Sequence, residues 1–133
     1  MRFCLDTDTC INAMKGLCPG MAVRFGQFNP EDFGVPAIVR AELLLGVLKS
    51  GNPERTGTIV EEFLSPFDLI PFERTAAQKY ADIRHDLEKK GTPIGPNDLV
   101  IAATARARNL VLITHNTKEF GRVADLAIED WAT

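Results

Sequence analysis

RFCLDTD, residues 2–8, is the stretch on which the fold turns. Its apolar part, residues 2–5, is short and stops abruptly at Asp6, the pattern of a buried strand that gives way to a loop. LVLIT, residues 110–114, repeats the pattern near the other end of the chain and runs into Thr114-His115-Asn116. Short, solid apolar runs describe strands covered on both faces, which parallel sheets require. Strands also read at Gly34–Ala37 and Phe67–Pro71, and helical segments separate them. Strands alternating with helices predict an α/β/α sandwich around a central, mostly parallel sheet. In such sheets the carboxyl ends of the strands gather the functional groups. Two polar clusters fall there, Asp6-Thr7-Asp8 and Thr114-His115-Asn116.

Working outward, helices are predicted at Thr9–Lys15 and Met21–Phe28, divided by Pro19-Gly20. From Ile38 to Lys49 the residues Ala41, Leu44, Leu45 and Leu48 recur at helical spacing and predict the buried face, with Glu42 off that stripe. Pro53–Phe63 opens on a proline suited to a first turn. Ala76, Tyr80, Ile83 and Leu87 mark the longest helix, which stops at Lys89-Lys90-Gly91. After the loop Gly91–Pro96, Asn97 is the expected cap of a helix carrying Leu99, Ile101, Ala102 and Ala105. Tyr80 and Phe63 read as core, and Trp131 as an anchor for the tail.

The 133 residues predict a single domain spanning 1–133. Hydrophobic residues at 45% and charged residues at 25% argue against disorder, collagen-like repeats and a disulfide scaffold. Fifteen Lys and Arg against eighteen Asp and Glu leave a net charge of -3, so any contact with a polyanion must come from a local patch. Cys4, Cys10 and Cys18 lack the close pairs of zinc or redox motifs, which suits a reduced, cytoplasmic setting. No stretch reads as a leader peptide or membrane span.

Asp6, Glu42, Asp98, Asn116 and Glu119 come from four distant segments that an α/β sheet brings to one edge. Carboxylates crowded together repel and raise one another's pKa unless a cation compensates, and a hard ion such as Mg²⁺ or Mn²⁺ does so. Each has an ordinary alternative taken alone: Asp98 stabilises a helix start, Glu42 is solvated, and Asp6 forms a turn. Their conjunction carries the argument. His85 lies on a charged, exposed helix. His115, beside Asn116, reads either as a proton donor or RNA contact or as a loop histidine without a role.

Five strings in order resemble the PIN-domain ribonuclease toxins of the VapC family from bacterial toxin–antitoxin systems: LDTD at 5–8, AELLLGV at 41–47, KGTPIGPNDLVIAATA at 90–105, LITHNTKEF at 112–120 and IEDW at 128–131. The resemblance covers essentially the whole chain. It implies an endoribonuclease that inhibits translation, in which Asp6, Glu42 and Asp98 form the acidic site for Mg²⁺ or Mn²⁺. Asp6 and Asp98 are the expected direct ligands, with Glu42 acting on the ion or through water. Asn116 stands where many PIN domains carry a fourth acid, Glu119 restores an acid nearby, and Thr114 orients water or a carboxylate. Asp8 replaces a frequent Asn. The implied substrate is structured RNA, notably a tRNA anticodon loop and possibly that of initiator tRNA. The implied partners are a cognate antitoxin and a second copy of the chain, within a larger complex. Docking surfaces are expected around Cys10–Met14 and Pro53–Phe63, and phosphate-gripping cations among Arg84, Lys89, Lys90, Arg106, Arg108, Lys118 and Arg122.

Two other classes compete. Asp6-Thr7-Asp8 after a first strand also resembles a haloacid-dehalogenase-type phosphatase with Asp6 as nucleophile, although only Asp98 stands where such enzymes usually carry paired acids. The neutral Asn116 motivates a PIN-like module that binds a partner without catalysis.

Overall fold

A computed structural model describes residues 1–132. The chain runs β1 (Phe3–Leu5), α1 (Thr7–Lys15), α2 (Pro19–Gly26), a 3-10 turn (Pro30–Asp32), β2 (Phe33–Pro36), α3 (Ala37–Lys49), α4 (Pro53–Leu64), β3 (Asp68–Ile70), α5 (Arg74–Lys89), α6 (Pro96–Ala107), β4 (Val111–Ile113), α7 (Thr117–Phe120) and β5 (Ile128–Glu129). Five strands form one sheet in the order β3-β2-β1-β4-β5. Every pairing is parallel, beyond the mostly parallel sheet expected. Strands β1 and β2 are buried throughout, so helices cover both faces of the sheet's centre.

Local chemistry sets the helix ends. Asp6 caps α1, its Oδ1 accepting from the Thr9 amide at 2.9 Å. Gly16 closes the same helix at φ +64°, where its amide reaches the carbonyls of Ala13 and Asn12. Helix α6 starts earlier than expected: Gly95 is its cap and Pro96 its first residue. Asn97 therefore lies inside the first turn, because a proline, lacking an N–H, suits the first helical position.

Helix α3 corrects the expected face. Val39, Leu43 and Val47 are buried, whereas Leu44, Leu45 and Leu48 are exposed by 38%, 50% and 74%. Both triplets satisfy helical spacing, and periodicity alone does not say which one meets the sheet. The 3-10 turn, α7 and β5 are additions to the sequence reading, being too short to show a period. Cys4 and Cys10 are wholly buried, and burial pushes both thiols well up, so they serve as small core hydrophobes.

The tail is anchored as expected. Trp131 is 2% exposed among Phe3, Phe25, Phe28 and Phe33. Its indole N–H donates to Glu129 Oε1 at 3.1 Å, and the Arg24 guanidinium lies 4.9 Å from its ring. No helix among the described residues is long and apolar enough to cross a membrane.

The revised face of α3 predicts an asymmetry. Leu43→Ala costs about 2–5 kcal/mol of unfolding free energy in urea titrations, while Leu48→Ala stays within about 0.5 kcal/mol of the parent. Equal losses at both positions contradict this packing.

Candidate active site

The site begins with the β1–β4 pairing. Leu5 pairs with Ile113, and the Asp6 amide donates to the Ile113 carbonyl at 3.4 Å, so Asp6 stands beside Thr114. Asp6 is only 4% exposed. Burial pushes its carboxyl above the usual range and neighbouring Asp8 adds to this, while hydrogen bonds pull it back. The Thr114 hydroxyl donates to Asp6, and the same oxygen accepts the Asn116 amide at 2.9 Å. Thr9 contributes its amide, since its hydroxyl hydrogen goes to the Ile113 carbonyl at 2.9 Å.

Glu42 reaches the site from the first half of α3. Thr7 donates to its Oε1 at 2.7 Å, which ties the third residue of the LDTD string to an acid 35 positions away. Asp98 enters from the first turn of α6, and Asn116 and Glu119 from the loop after β4 and from α7. Asn116 Nδ2 donates to Glu119 Oε2 at 2.9 Å, and Asp98 is hydrogen-bonded to Glu119 in turn.

These contacts concentrate repulsion on one group. Asp98 has its pKa pushed from 3.8 to about 7, first by burial and then by the hydrogen bond and charge of Glu119, with Asp6 and Glu42 adding to it. A helix start favours a carboxylate by roughly 0.3–1 kcal/mol, less than the ~1.4 kcal/mol of one pKa unit. Burial and crowding together therefore outweigh the helix dipole. Glu119 moves down, held ionised by the hydrogen bonds of Asn116 and Asp98 and by the charges of Arg122 and Lys118. The two carboxyls are thus pushed in opposite directions, Asp98 up and Glu119 down.

All five expected residues thus join one network. Among the described residues, no three His, Cys, Asp or Glu side chains already form a metal-ligand set. The donors are nonetheless all oxygens, and no cation is among the groups acting on Asp98. A hard dication fits this surplus of negative charge. Of the expected cations, Lys118 and Arg122 flank Glu119; Arg84 is engaged with Glu88 and Tyr80, and Lys90 with Asp86. His85 is exposed, as expected. Sequence reasoning gave no role to Thr7, nor to Asp130, whose Oδ2 lies 3.0 Å from His115 Nδ1. Thr7 was visible within LDTD, but a hydrogen bond to α3 has no sequence signal.

The PIN domain signature matches residues 3–126. The chain is 37% identical over 132 residues to a tRNA(fMet)-specific endonuclease VapC of Shigella flexneri, covering 99% of each. Among solved structures it is similar to DNA-bound VapBC from Salmonella typhimurium, with a TM-score of 0.93, 39% identity and 98% coverage of both chains. It is likewise similar to VapBC-1 from nontypeable Haemophilus influenzae, with a TM-score of 0.91, 36% identity and complete coverage of both.

The raised Asp98 predicts a pH dependence. Its folded pKa lies above its unfolded value, so between pH 3.8 and about 7 the folded state holds a proton that the unfolded state releases. This group's contribution to stability is greatest below that window and is lost as pH rises through it. With chelator present, Asp98→Asn is more stable than the parent at pH 8, and the difference closes toward pH 4. Thermal unfolding at both pH values checks this, and a parent equally or more stable at pH 8 contradicts it.

Proposed function

The chain belongs to the PIN-domain family, in its VapC branch, and from that membership we propose that it is a divalent-metal-dependent endoribonuclease acting on structured RNA, with a tRNA anticodon loop, initiator tRNA first, as substrate. The observation that carries the reading is the convergence of Asp6, Glu42 and Glu119 on Asp98, whose carboxyl is pushed up by burial and then by the charge of all three. Family membership displaces the phosphatase alternative, and the intact acid cluster displaces the non-catalytic one.

Asp6 and Asp98 are assigned as the residues that hold Mg²⁺ or Mn²⁺, with Glu42 beside them and Asn116 and Glu119 completing the pocket. A divalent cation bound there supplies positive charge that acidifies water and offsets charge developing on the phosphate oxygens. The chain's own groups do the rest. Thr7 occupies Glu42 Oε1, leaving Oε2 to take a proton from the attacking water. The water oxygen bonds to phosphorus in line, the bond from phosphorus to the 3′ oxygen breaks, and solvent protonates that oxygen. The ribose 2′-hydroxyl is not used, so the products carry 5′-phosphate and 3′-hydroxyl ends. Asn116 keeps Glu119 turned toward Asp98 through its amide.

An enzyme that cuts the cell's own RNA requires restraint, which the VapC branch supplies as a cognate antitoxin. Both expected docking segments border one apolar groove of about 310 Å³, lined by Ala13, Cys18, Met21, Phe25, Phe63 and Phe67. We assign the antitoxin to it, within a larger complex built on a homodimer in the cytoplasm.

Incubating the purified chain with initiator tRNA and total RNA tests the activity. Cleavage is expected with Mg²⁺ or Mn²⁺ and not with chelator, and Asp6→Asn loses about a hundredfold or more while still binding the antitoxin. Ends bearing 2′,3′-cyclic phosphate, or cleavage undiminished by chelator, overturn the mechanism.

Thr7→Val removes the hydrogen bond to Glu42 and lowers kcat about threefold to tenfold. An unchanged kcat removes Thr7 from the mechanism.

A further inference from the structure

His115 lies between two residues of the acid network yet turns away from it. Thr114 before it bonds Asp6, and Asn116 after it bonds Glu119. Its own side chain is 67% exposed, with Nδ1 paired to Asp130 Oδ2 at 3.0 Å. Such a pair at a surface adds little stability.

What distinguishes this pair is how firmly Asp130 is held. Glu129, before it, extends the sheet: its carbonyl accepts the Thr114 amide at 3.0 Å. The Glu129 carboxylate accepts from Arg24 at 3.0 Å and from the Trp131 indole at 3.1 Å. Trp131, after it, is locked in the aromatic core, and Asp130 Oδ1 accepts the Ala132 amide at 2.9 Å. An ionised carboxylate only accepts, so the His115 nitrogen facing it carries the hydrogen whether the ring is neutral or charged. Nε2 is left free in a fixed direction.

The surrounding charge says what that nitrogen meets. On the β1 side the border carries exposed Asp8 as well as Glu42, which repel a polyanion. On the β4–β5 side, helix α7 packs against β5, Lys118 and Arg122 stand close enough to act on Glu119, and the two acids of that border are already paired, Glu129 with Arg24 and Asp130 with His115. An RNA strand reaching the acids is favoured along that second border, where His115 lies.

Resting on the nuclease reading above, we propose that His115 is an RNA-backbone contact. Its Nε2, which accepts from a ribose hydroxyl when the ring is neutral and donates to a phosphate oxygen when it is charged, holds the sugar–phosphate chain beside the scissile bond, and Asp130 is the positioning residue that aims it. The contact is to the backbone, so it strengthens binding without reading a base.

Steady-state cleavage of initiator tRNA by the parent, His115→Ala, His115→Gln, Asp130→Asn and the double variant His115→Ala/Asp130→Asn tests this. His115→Ala raises KM about threefold to tenfold with kcat within about twofold. His115→Gln, whose amide reaches to the place of Nε2, recovers part of the loss. Asp130→Asn, which still offers Oδ1 to the Ala132 amide, raises KM less, and the double variant matches His115→Ala alone, because Asp130 acts through His115. An unchanged KM in His115→Ala, a loss confined to kcat, or additive effects in the double variant overturns the proposal. The parent is the control for the underlying reading: if it leaves the tRNA intact with either ion, the nuclease assignment fails and the His115 role fails with it.

Discussion

The parallel pairing of β1 with β4 is the constraint on which the rest depends. Strands so short contribute few ladder bonds, three residue pairs in all, and gain their stability from burial on both faces. That pairing puts the end of the first strand beside a segment more than one hundred residues later, and everything polar at the site is arranged around the junction. Asp6 starts α1, Thr9 bonds back to the Ile113 carbonyl, and Thr114 bonds forward to Asp6 and Asn116. A one-residue slip in this register would turn Thr114 away from Asp6 and into the packing. The aromatic cluster around Trp131 secures the same junction from the other end of the strands, since Phe3 belongs to both the ladder and the cluster.

The site is in tension with the fold that carries it. Three neighbours of like charge press on Asp98, and the helix dipole beneath it is too weak to compensate. A fold selected for stability alone would place a neutral residue there. The retained repulsion is what a cation-binding site requires: it disfavours the empty ionised state, so that an incoming dication relieves strain as well as forming bonds. On the proposed metal role of Asp98, metal affinity and metal-free stability are opposed at this position, and pH moves both, because a proton there would compete with the ion.

Sequence reasoning reached the architecture because the strands announce themselves as solid apolar runs ending in polar clusters, a signal that needs no knowledge of partners. It picked out residues that the fold gathers for the same reason: Asp6 and Asn116 mark strand ends, and Asp98 a helix start. It failed on α3, where Val39-Leu43-Val47 and Ala41-Leu44-Leu45-Leu48 are equally periodic. The decision between them is made by tertiary packing, which also turns Glu42 toward Thr7. It missed β5 because two residues carry no alternation. It gave Asp130 no role, although IEDW was conspicuous, because the meaning of that acid lies in the direction Glu129 and Trp131 impose on it.

The neutral residue at 116 is the departure from the resembled pattern that most needs a physical account, and the hydrogen bonds provide one. A carboxylate at this position would accept only and would have nothing to offer Glu119. The Asn116 amide instead donates to Glu119 Oε2, and this bond is the largest influence holding Glu119 ionised. Glu119 then faces Asp98 as the charge that a residue at 116 would otherwise supply. The acid lies three residues along the chain, in the first turn of α7, and Asn116 supports it. On this account the two positions act as one unit: Asn116→Asp alone adds a fifth charge with no donor to balance it, whereas exchanging the pair, Asp at 116 with Gln at 119, keeps both the charge and a donor.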